Sequence, residues 1–287
     1  MFPQLIISSV IASLRFATAS LVSAALAVAV CGQSDKAIFA DEFAGPANSS
    51  FNTIHWTAET GGNGWGNKEL QYYTAEKENV RLNGKGQLEI RALEVPKTTD
   101  LKCWYGTCGY TSARLVTKGK FQFTYGRAVA RIKLPEGVGV WPAFWMLGGD
   151  IDQIGWPSCG EIDIMEFIGR EPSTIYGTLH GPGYSGDAAI GKPVAVPGNK
   201  KAGAHFQIFA VEWEPAEIRW YFDEKLYHKM TPKDLPAGTK WVFDKPFFLI
   251  LNFAVGGKWP GSPDASTKFP QAMVVDYVRV TSAQPKK

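Results

Sequence analysis

The sequence predicts an all-β fold, a sandwich of two antiparallel sheets. In residues 88–92 apolar and polar side chains alternate, which is the period of a half-buried strand, and residues 206–211, 218–222 and 273–280 are further strand candidates. Residues 247–253 are apolar almost without interruption, so we expect that strand to be buried on both faces. Gly, Pro and Asn turns separate the strands, and helix-period stretches are nearly absent. Many short strands without helices between them indicate an antiparallel sandwich.

The first 33 residues have the pattern of a secretion signal rather than of folded structure. Their one charged residue, Arg15, precedes an apolar run of about 15 residues, which is short for a membrane span. Lipidation of Cys31 is an alternative, although Val30 is a poor match to the small residue that usually precedes a lipidated cysteine, and an uncleaved anchor is a weaker one. We therefore expect a secreted or periplasmic protein whose mature domain, residues 34–287, does not insert stably into a membrane.

Composition limits the classes of partner and the number of domains. The net charge is +3 and no basic run occurs, so the chain lacks the electrostatic footprint of a nucleic-acid-binding protein. A length of 287 residues with 45% hydrophobic content suits one domain with one core, and we expect a monomer.

The cysteines indicate at most one short disulfide loop. Export permits disulfides, and Cys103 and Cys108 flank a four-residue loop that such a bond could close. Cys159 is then left as a small buried hydrophobe. No Cys or His spacing in the sequence suggests a zinc site.

Three carboxylates in one strand carry the chemistry. In residues 160–169 alternation places Glu161 and Asp163 on one face, with Ile162 and Ile164 on the other. Strict alternation would point Glu166 into the core, where an unpaired carboxylate is very costly. A β-bulge at Ile164–Met165 would return Glu166 to the acid face.

When carboxyl groups are crowded together, one tends to stay protonated while another is ionised. Repulsion among the three acids raises at least one pKa, so that one carboxyl stays protonated near neutral pH while another is ionised. A retaining glycosidase needs this division of labour between carboxyl groups about 5–5.5 Å apart, a spacing that neighbours on one strand can meet. A polar outer strand face or a calcium site would also explain the acids. However, a solvated face would normally include Lys, Thr or Ser, and calcium clusters more often occupy loops.

The run Glu-Ile-Asp-Ile-Met-Glu resembles the signature of glycoside hydrolase family 16, and its Met is similar to the insertion of the laminarinase branch. The resemblance covers roughly residues 37 to 282. Outside the acid strand it rests on residues 66–74, 111–115, 125–127, 141–147, 177–184 and 252–257. It implies a concanavalin A-like β-jelly roll whose concave sheet forms an open cleft for a glucan chain. Residues 128–130 depart from the family pattern, which is often acidic there.

The substrate-binding candidates follow from strand geometry and from the resemblance. Trp141 and Trp145 are four residues apart on one strand, so their indole rings face the same side, as a sugar platform or as core packing. Asn67 and Arg114 could hydrogen-bond sugar hydroxyls or the nucleophile. His180, which we expect in a Gly-rich loop after the acid strand, either lines the cleft or has a structural role.

Structural calcium is expected from the resemblance at Glu42, Gly84 and Asp276. Asp276 lies among valines, where its carboxylate needs compensation, and either calcium or a buried hydrogen-bond network would provide it. We expect no cofactor for catalysis.

These observations predict an endo-acting β-1,3-glucanase with net retention. Glu161 is expected to be the nucleophile, Glu166 the acid/base, and Asp163 the residue that orients the nucleophile and helps tune both pKa values. Another family 16 specificity, on mixed-linkage glucan or a galactan, is the first alternative. A glucan-binding protein without turnover is the second.

Overall fold

Two β-sheets stack face to face in the computed structural model, which describes residues 37–283. The predicted signal, with Arg15 and Cys31, lies outside the described residues. The larger sheet has ten strands: β1 (Ala37–Asp41), β3 (Gln71–Tyr73), β4 (Val80–Leu82), β5 (Leu88–Glu94), β8 (Tyr110–Ser112), β10 (Gly126–Lys133), β15 (Gln207–Glu214), β16 (Glu217–Phe222), β17 (Lys225–Met230) and β19 (Gln271–Ser282).

The second sheet has seven strands and carries the predicted acid strand. Its members are β2 (Thr57–Glu59), β9 (Arg114–Val116), β11 (Val140–Gly148), β12 (Glu161–Glu166), β13 (Thr174–His180), β14 (Ile190–Ala195) and β18 (Phe247–Val255). A separate hairpin pairs β6 (Lys102–Cys103) with β7 (Gly106–Thr107). The helices are short: α1 (Ile151–Ile154) and 3₁₀ turns at Gly186–Ala188, Pro197–Asn199, Ala202–Ala204 and Pro232–Asp234.

Strand order confirms the predicted sandwich. The larger sheet runs β17-β16-β15-β10-β19-β5-β8-β3, with β1 on β19 and β4 on β5, and the smaller runs β14-β13-β12-β11-β18-β9-β2. The pairings within the described range are antiparallel apart from β3 with β8, which is parallel. The sheets are those of a jelly roll, as the resemblance implied.

The main core fills the space between the sheets. Alternate residues of β10 are buried, and Phe144 and Met146 of β11 point into the same apolar cluster. All nine residues of β18 are buried, as its apolar sequence predicted. Its outer face belongs to a second, smaller apolar cluster, which includes Phe248, Ile250 and the buried free thiol of Cys159. The outer face of this sheet is therefore apolar at one end and polar along the rest.

Cys103 and Cys108 form a disulfide that closes the β6–β7 hairpin, so the predicted loop closure is confirmed. Among residues 37–283, none belongs to a helix long and apolar enough to cross a membrane.

Candidate active site

A β-bulge in β12 brings the three acids to one face. On β11, Phe144 pairs with Met165 and Trp145 pairs with Asp163, so Ile164 has no partner of its own. On β13 the register advances by two residues while β12 advances by three, from Asp163 to Glu166. Ile164 and Met165 are both buried in the core. The extra residue is thus absorbed on the core side, and Glu166 returns to the face of Glu161, as the sequence predicted.

The opposite sheet supports the bulge. A bulge displaces backbone groups from the ladder, and a buried carbonyl must find another partner. The Asp163 carbonyl accepts a hydrogen bond of 2.7 Å from the indole Nε1 of Trp220, a fully buried residue of β16. Gly177 lies on β13 beside the bulge, where a Cβ would come within 2.5 Å of the Trp220 ring and 2.4 Å of the Tyr227 hydroxyl. Close packing from the larger sheet therefore holds the acid strand in place.

Glu161 is partly exposed and has an indole hydrogen-bond donor. Its Oε2 accepts a hydrogen bond of 2.8 Å from the Nε1 of Trp156, and its side chain keeps 16% of its surface exposed. Trp156 lies in the loop between α1 and β12 and is itself 49% exposed. A neutral indole donor stabilises the carboxylate without supplying a full positive charge.

Asp163 lies between the glutamates and is almost fully buried, at 3% exposure. It is hydrogen-bonded to Glu161, so the two carboxyl groups can share one proton. His180 Nε2 lies 3.1 Å from Asp163 Oδ2 and 3.6 Å from Glu161 Oε1, close enough for an electrostatic contact, although the Asp163 oxygen lacks an aligned hydrogen bond. His180 Nδ1 accepts a hydrogen bond from the Gly186 amide, which places the proton of a neutral ring on Nε2, towards the acids.

His180 therefore lies beside the acids, and one point of the sequence interpretation needs correction. His180 is the last residue of β13, paired with Glu161, rather than a loop residue. One donor atom each from Glu161, Asp163 and His180 also lies within 4.8 Å of the others, so these residues could hold a metal ion.

Glu166 is the third acid and has its own donor. Its Oε1 accepts a hydrogen bond of 3.1 Å from the Nε1 of Trp141. The Trp141 ring packs edge-on against Trp259, which in turn packs edge-on against Tyr176 of β13. Glu166 therefore lies at the base of an aromatic cluster on its side of the cleft.

Burial raises the pKa values of all three acids, and repulsion adds to the effect on the two glutamates. Burial, followed by the charge of Asp163, raises the pKa of Glu161 to about 8, opposed by His180, Trp156 and Arg114. Burial raises the pKa of Asp163 to about 8 as well. The same two causes hold the pKa of Glu166 well above its usual range. The sequence predicted the direction from repulsion alone, whereas burial is the larger cause.

Trp141 and Trp145 both lie on the outer face of β11, partly exposed, with Phe144 and Met146 on the core side. The Arg114 guanidinium lies 4.8 Å from the centre of the Trp145 ring and 4.9 Å from that of Trp65. Arg114 also forms an ion pair with Glu59 across β9 and β2. Arg114 is thus placed in the cleft, stacked between two indole rings.

Asn67 belongs to a hydrogen-bond network at the Trp145 side of the cleft. Its Nδ2 donates to Glu69 Oε1 at 3.2 Å, and Glu69 Oε2 accepts from Gln71 at 2.6 Å and from the Tyr73 hydroxyl at 3.2 Å. Asn252 links the Tyr73 hydroxyl, at 3.0 Å, to Trp145 Nε1, at 2.7 Å. Glu69 is buried, and burial raises its pKa. The network fixes the tilt of the Trp145 ring through neutral partners.

The calcium candidates already have other partners. Glu42 makes a two-pronged ion pair with Arg279, at 2.6 and 2.7 Å. Asp276 accepts from Arg131 at 2.7 Å and from Gln87 at 3.2 Å. A hydrogen-bond network, the alternative that the sequence left open, thus compensates Asp276. As paired here, the two carboxylates do not fit a calcium ion as ligands.

Trp156, Glu69 and Trp220 are among the participants that were not predicted as site residues. Trp156 reaches Glu161 from a loop, and Trp220 reaches Asp163 from the other sheet, 57 positions along the chain. Glu69 had a signal in the sequence, because this charged residue belongs to residues 66–74, one of the segments that carry the family resemblance.

Comparison with known proteins agrees with this geometry. The profile of "Glycosyl hydrolases family 16" matches residues 66–279. A "Beta-glucanase" from Rhodothermus marinus is 42% identical over 281 residues, covering 92% of this chain and 93% of that protein. The crystal structure of an endo-β-1,3-glucanase from Pyrococcus furiosus has a TM-score of 0.80 at 49% identity, covering 88% of this chain and 96% of that one.

A laminarinase catalytic domain from Thermotoga petrophila RKU-1 also has a TM-score of 0.80, at 46% identity, covering 88% of this chain and 99% of that chain. The profile match, the similarity over nearly the full length and the acid strand agree with one another. The chain belongs to glycosyl hydrolase family 16.

Proposed function

We propose that this protein is an endo-acting glycosidase that hydrolyses β-1,3-linked glucan with net retention at the anomeric carbon. One observation carries the proposal: the bulge in β12 gathers Glu161, Asp163 and Glu166 on the exposed face of the sheet, beside Trp141 and Trp145. The names of the similar proteins, a β-glucanase and endo-β-1,3-glucanases, support the choice of glucan as substrate.

In the first step, a Glu161 oxygen attacks the anomeric carbon. The bond to the leaving sugar breaks, and Glu166 gives its proton to the departing oxygen. In the second step, Glu166 takes a proton from water, the water oxygen attacks the same carbon, and Glu161 leaves as a carboxylate. Each step inverts the carbon once, so the product keeps its original configuration.

The surroundings of each acid suit its role. Glu166 needs a proton at neutral pH, and its raised pKa provides one. Glu161 must lose its proton before it attacks. Burial and the charge of Asp163 oppose this and raise its pKa to about 8, whereas His180, the Trp156 indole and Arg114 favour its charged form. Asp163, beside Glu161, orients the nucleophile, and its charge contributes to the raised pKa values of both glutamates. The chemistry therefore needs no cofactor beyond these side chains.

The same cleft would also suit a mixed-linkage glucan or a galactan, which remain alternative substrates. A binding protein without turnover is disfavoured because all three acids are present and each of the two glutamates has an indole donor. Hydrolysis of laminarin, lichenan and agarose, compared side by side, distinguishes these specificities.

Azide rescue tests the mechanism and assigns both roles. We expect Glu161→Ala to lose at least about a thousandfold in kcat because no glycosyl-enzyme can form. Azide should restore turnover on an aryl glucoside and give an inverted product, since it enters from the vacated side. Glu166→Ala should keep activity on the same activated substrate, and azide should give a retained product. NMR of the glycosyl azide distinguishes the two configurations.

A retained azide product from Glu161→Ala would swap the two roles. Near-normal activity of both variants on laminarin would show that β12 is not the active site. Ser266→Ala, on a loop far from β12 in the chain, serves as the matched control and should behave as the unmodified protein does.

We also propose export by the N-terminal segment, with Cys31 lipidation as its variant, which mass spectrometry of the mature protein tests. Structural calcium is also a proposal. Since Arg279 and Arg131 occupy the carboxylates of Glu42 and Asp276, an ion there would rely on main-chain carbonyls such as that of Gly84. Thermal unfolding with and without a chelator tests this site.

A further inference from the structure

We propose that the disulfide-closed hairpin, Lys102–Thr107, forms an additional sugar-binding subsite that extends the cleft for long glucan chains, with Trp104 as its stacking surface. The inference rests on the proposed function for the identity of the sugar. It concerns a segment that the family resemblance left unexplained.

The hairpin is held rigidly against the loop that precedes β3. The Cys103–Cys108 bond closes it, and the Trp104 indole Nε1 donates to the Glu69 carbonyl at 2.7 Å. The Tyr105 hydroxyl donates to the Leu70 carbonyl at 2.6 Å and accepts from the Gly109 amide at 2.8 Å. A ring held in this way has lost its rotational freedom before any ligand arrives, which lowers the entropic cost of stacking.

Both aromatic rings nevertheless remain open to solvent. Trp104 is 47% exposed and Tyr105 39% exposed, and their ring centres are 5.4 Å apart. The hydrogen bonds of Trp104 and Tyr105 use the polar edges of the rings, so they do not account for the exposed apolar surface. Exposed aromatic residues that are fixed in position are typical of recognition surfaces rather than of packing.

The hairpin continues the row of aromatic residues that begins at the acids. Trp145 and Trp65 stack on either side of Arg114, at 4.8 and 4.9 Å. Gly64, next to Trp65, is so close to the hairpin that a Cβ there would lie 2.8 Å from the Trp104 ring. The backbone of Glu69 binds Trp104 while its side chain belongs to the network behind Trp145. The loop that carries Trp65 thus connects the indole rings beside the acids to Trp104, and this order of rings, Trp145, Trp65 and Trp104, is the path of the glucan chain away from Glu161.

The chemistry at both ends of this path is similar. An indole face stacks on the apolar C–H face of a glucose ring, and a nearby cation donates hydrogen bonds to the hydroxyl groups. Arg114 plays this part between Trp65 and Trp145. At the hairpin, the Lys68 ammonium lies 5.7 Å from the centre of the Trp104 ring. A neutral, hydroxyl-rich polymer matches this pairing, whereas a purely apolar ligand would leave the cation unsatisfied.

The test compares long and short glucans in Trp104→Ala. Binding is measured by calorimetry in a Glu161→Gln background, with laminarin as the long ligand and laminaribiose as the short one. We expect laminarin affinity to fall about three- to tenfold, the size of one aromatic contact, with no change for laminaribiose. Trp104→Phe should recover most of the loss. Ile54→Ala, which truncates an apolar side chain that is 79% exposed elsewhere, should leave both affinities unchanged.

A double variant, Cys103→Ser with Cys108→Ser, tests the hairpin without removing the ring. We expect it to weaken laminarin binding in the same direction because the closed loop no longer holds Trp104 in place. Unchanged laminarin affinity in Trp104→Ala would overturn the inference, and so would an equal loss for both ligands. Laminarin binding without hydrolysis by the unmodified protein would instead refute the proposed function and leave this test valid.

Discussion

Two groups of acidic residues, one on each sheet, differ in the side chains that donate hydrogen bonds to their carboxylates. On β15 and β16, Glu212, Glu214 and Glu217 surround the single guanidinium of Arg219, with N–O contacts of 3.0 and 2.6 Å to the first two. On β12, the donors are the indole groups of Trp141 and Trp156, which are neutral.

The difference shows how the fold separates structural acids from reactive ones. Acids that surround a guanidinium are stabilised in their charged form, and the same contacts raise the pKa of Arg219. The two glutamates of β12 receive hydrogen bonds from neutral indoles, and burial together with the charge of Asp163 outweighs the opposing charge of His180, so their pKa values rise and one proton remains available near neutral pH. A neutral hydrogen-bond donor can therefore position a carboxylate without removing its reactivity.

The largest effect should appear when one reactive acid is made neutral. The pKa of Glu161 is raised in the folded state, so the folded protein binds the proton more tightly than the unfolded chain does. Stability is therefore lost as pH rises from the unfolded value, about 4.3, through about 8. We expect Glu161→Gln to be more stable than the unmodified protein by roughly 1–3 kcal/mol at pH 9, a rise in Tm of several degrees, and by little at pH 4.

Glu212→Gln is the matched change in the other group. It removes a partner of Arg219 and Arg127, so it should lower Tm at pH 9. Scanning calorimetry at both pH values measures the two variants. A Glu161→Gln variant less stable than the parent at pH 9 would show that the acids of β12 are neutralised after all.

An intermediate effect is expected from the hydrogen bond under the bulge. Trp220→Phe keeps a buried ring but removes the donor to the Asp163 carbonyl. We expect a loss of about 1–2 kcal/mol in unfolding free energy, because a buried carbonyl is left unpaired, together with a fall in kcat of about three- to tenfold.

Trp213→Phe separates stability from catalysis. Trp213 is equally buried, and its Nε1 donates to the Phe243 carbonyl at 2.8 Å rather than to the acid strand. The Trp213→Phe variant should lose about as much unfolding free energy as Trp220→Phe, while its kcat on laminarin should not change. Equal kcat values for the two variants would mean that the Trp220 bond does not position the acids.

The smallest effect should follow Arg219→Gln. The acids around it lose their guanidinium and repel one another, which we expect to cost about 1 kcal/mol at low salt, partly recovered in 1 M NaCl because exposed charges are then screened. Activity should stay within about twofold, since Arg219 lies on the sheet opposite the acid strand. Urea titrations at two salt concentrations, with a laminarin assay alongside, measure both quantities. A salt-independent loss would indicate packing rather than charge.

The sequence predicted those features that follow from the hydrophobic pattern of a single strand or from the free-energy cost of burying a charged side chain. The strand at residues 247–253 follows from its unbroken apolar run, and the bulge follows from the cost of burying Glu166. The partners of these elements could not be found in this way. Trp220 and Asp163 meet across the two sheets, and Trp145 meets Glu69 only through Asn252 and Tyr73. Such contacts depend on sheet order, which no periodicity in one strand contains.

The bulge also has a consequence for insertions and deletions in this strand. Between Asp163 and Glu166, β12 uses one residue more than its neighbour β13. Removal of either Ile164 or Met165 would leave a regular strand in which the three acids still alternate onto one face. Removal of Ile162, in contrast, would turn Glu161 towards the core. At the bulge, β12 can therefore lose one residue by deletion of a single codon, and the three acids keep both their order and their common face.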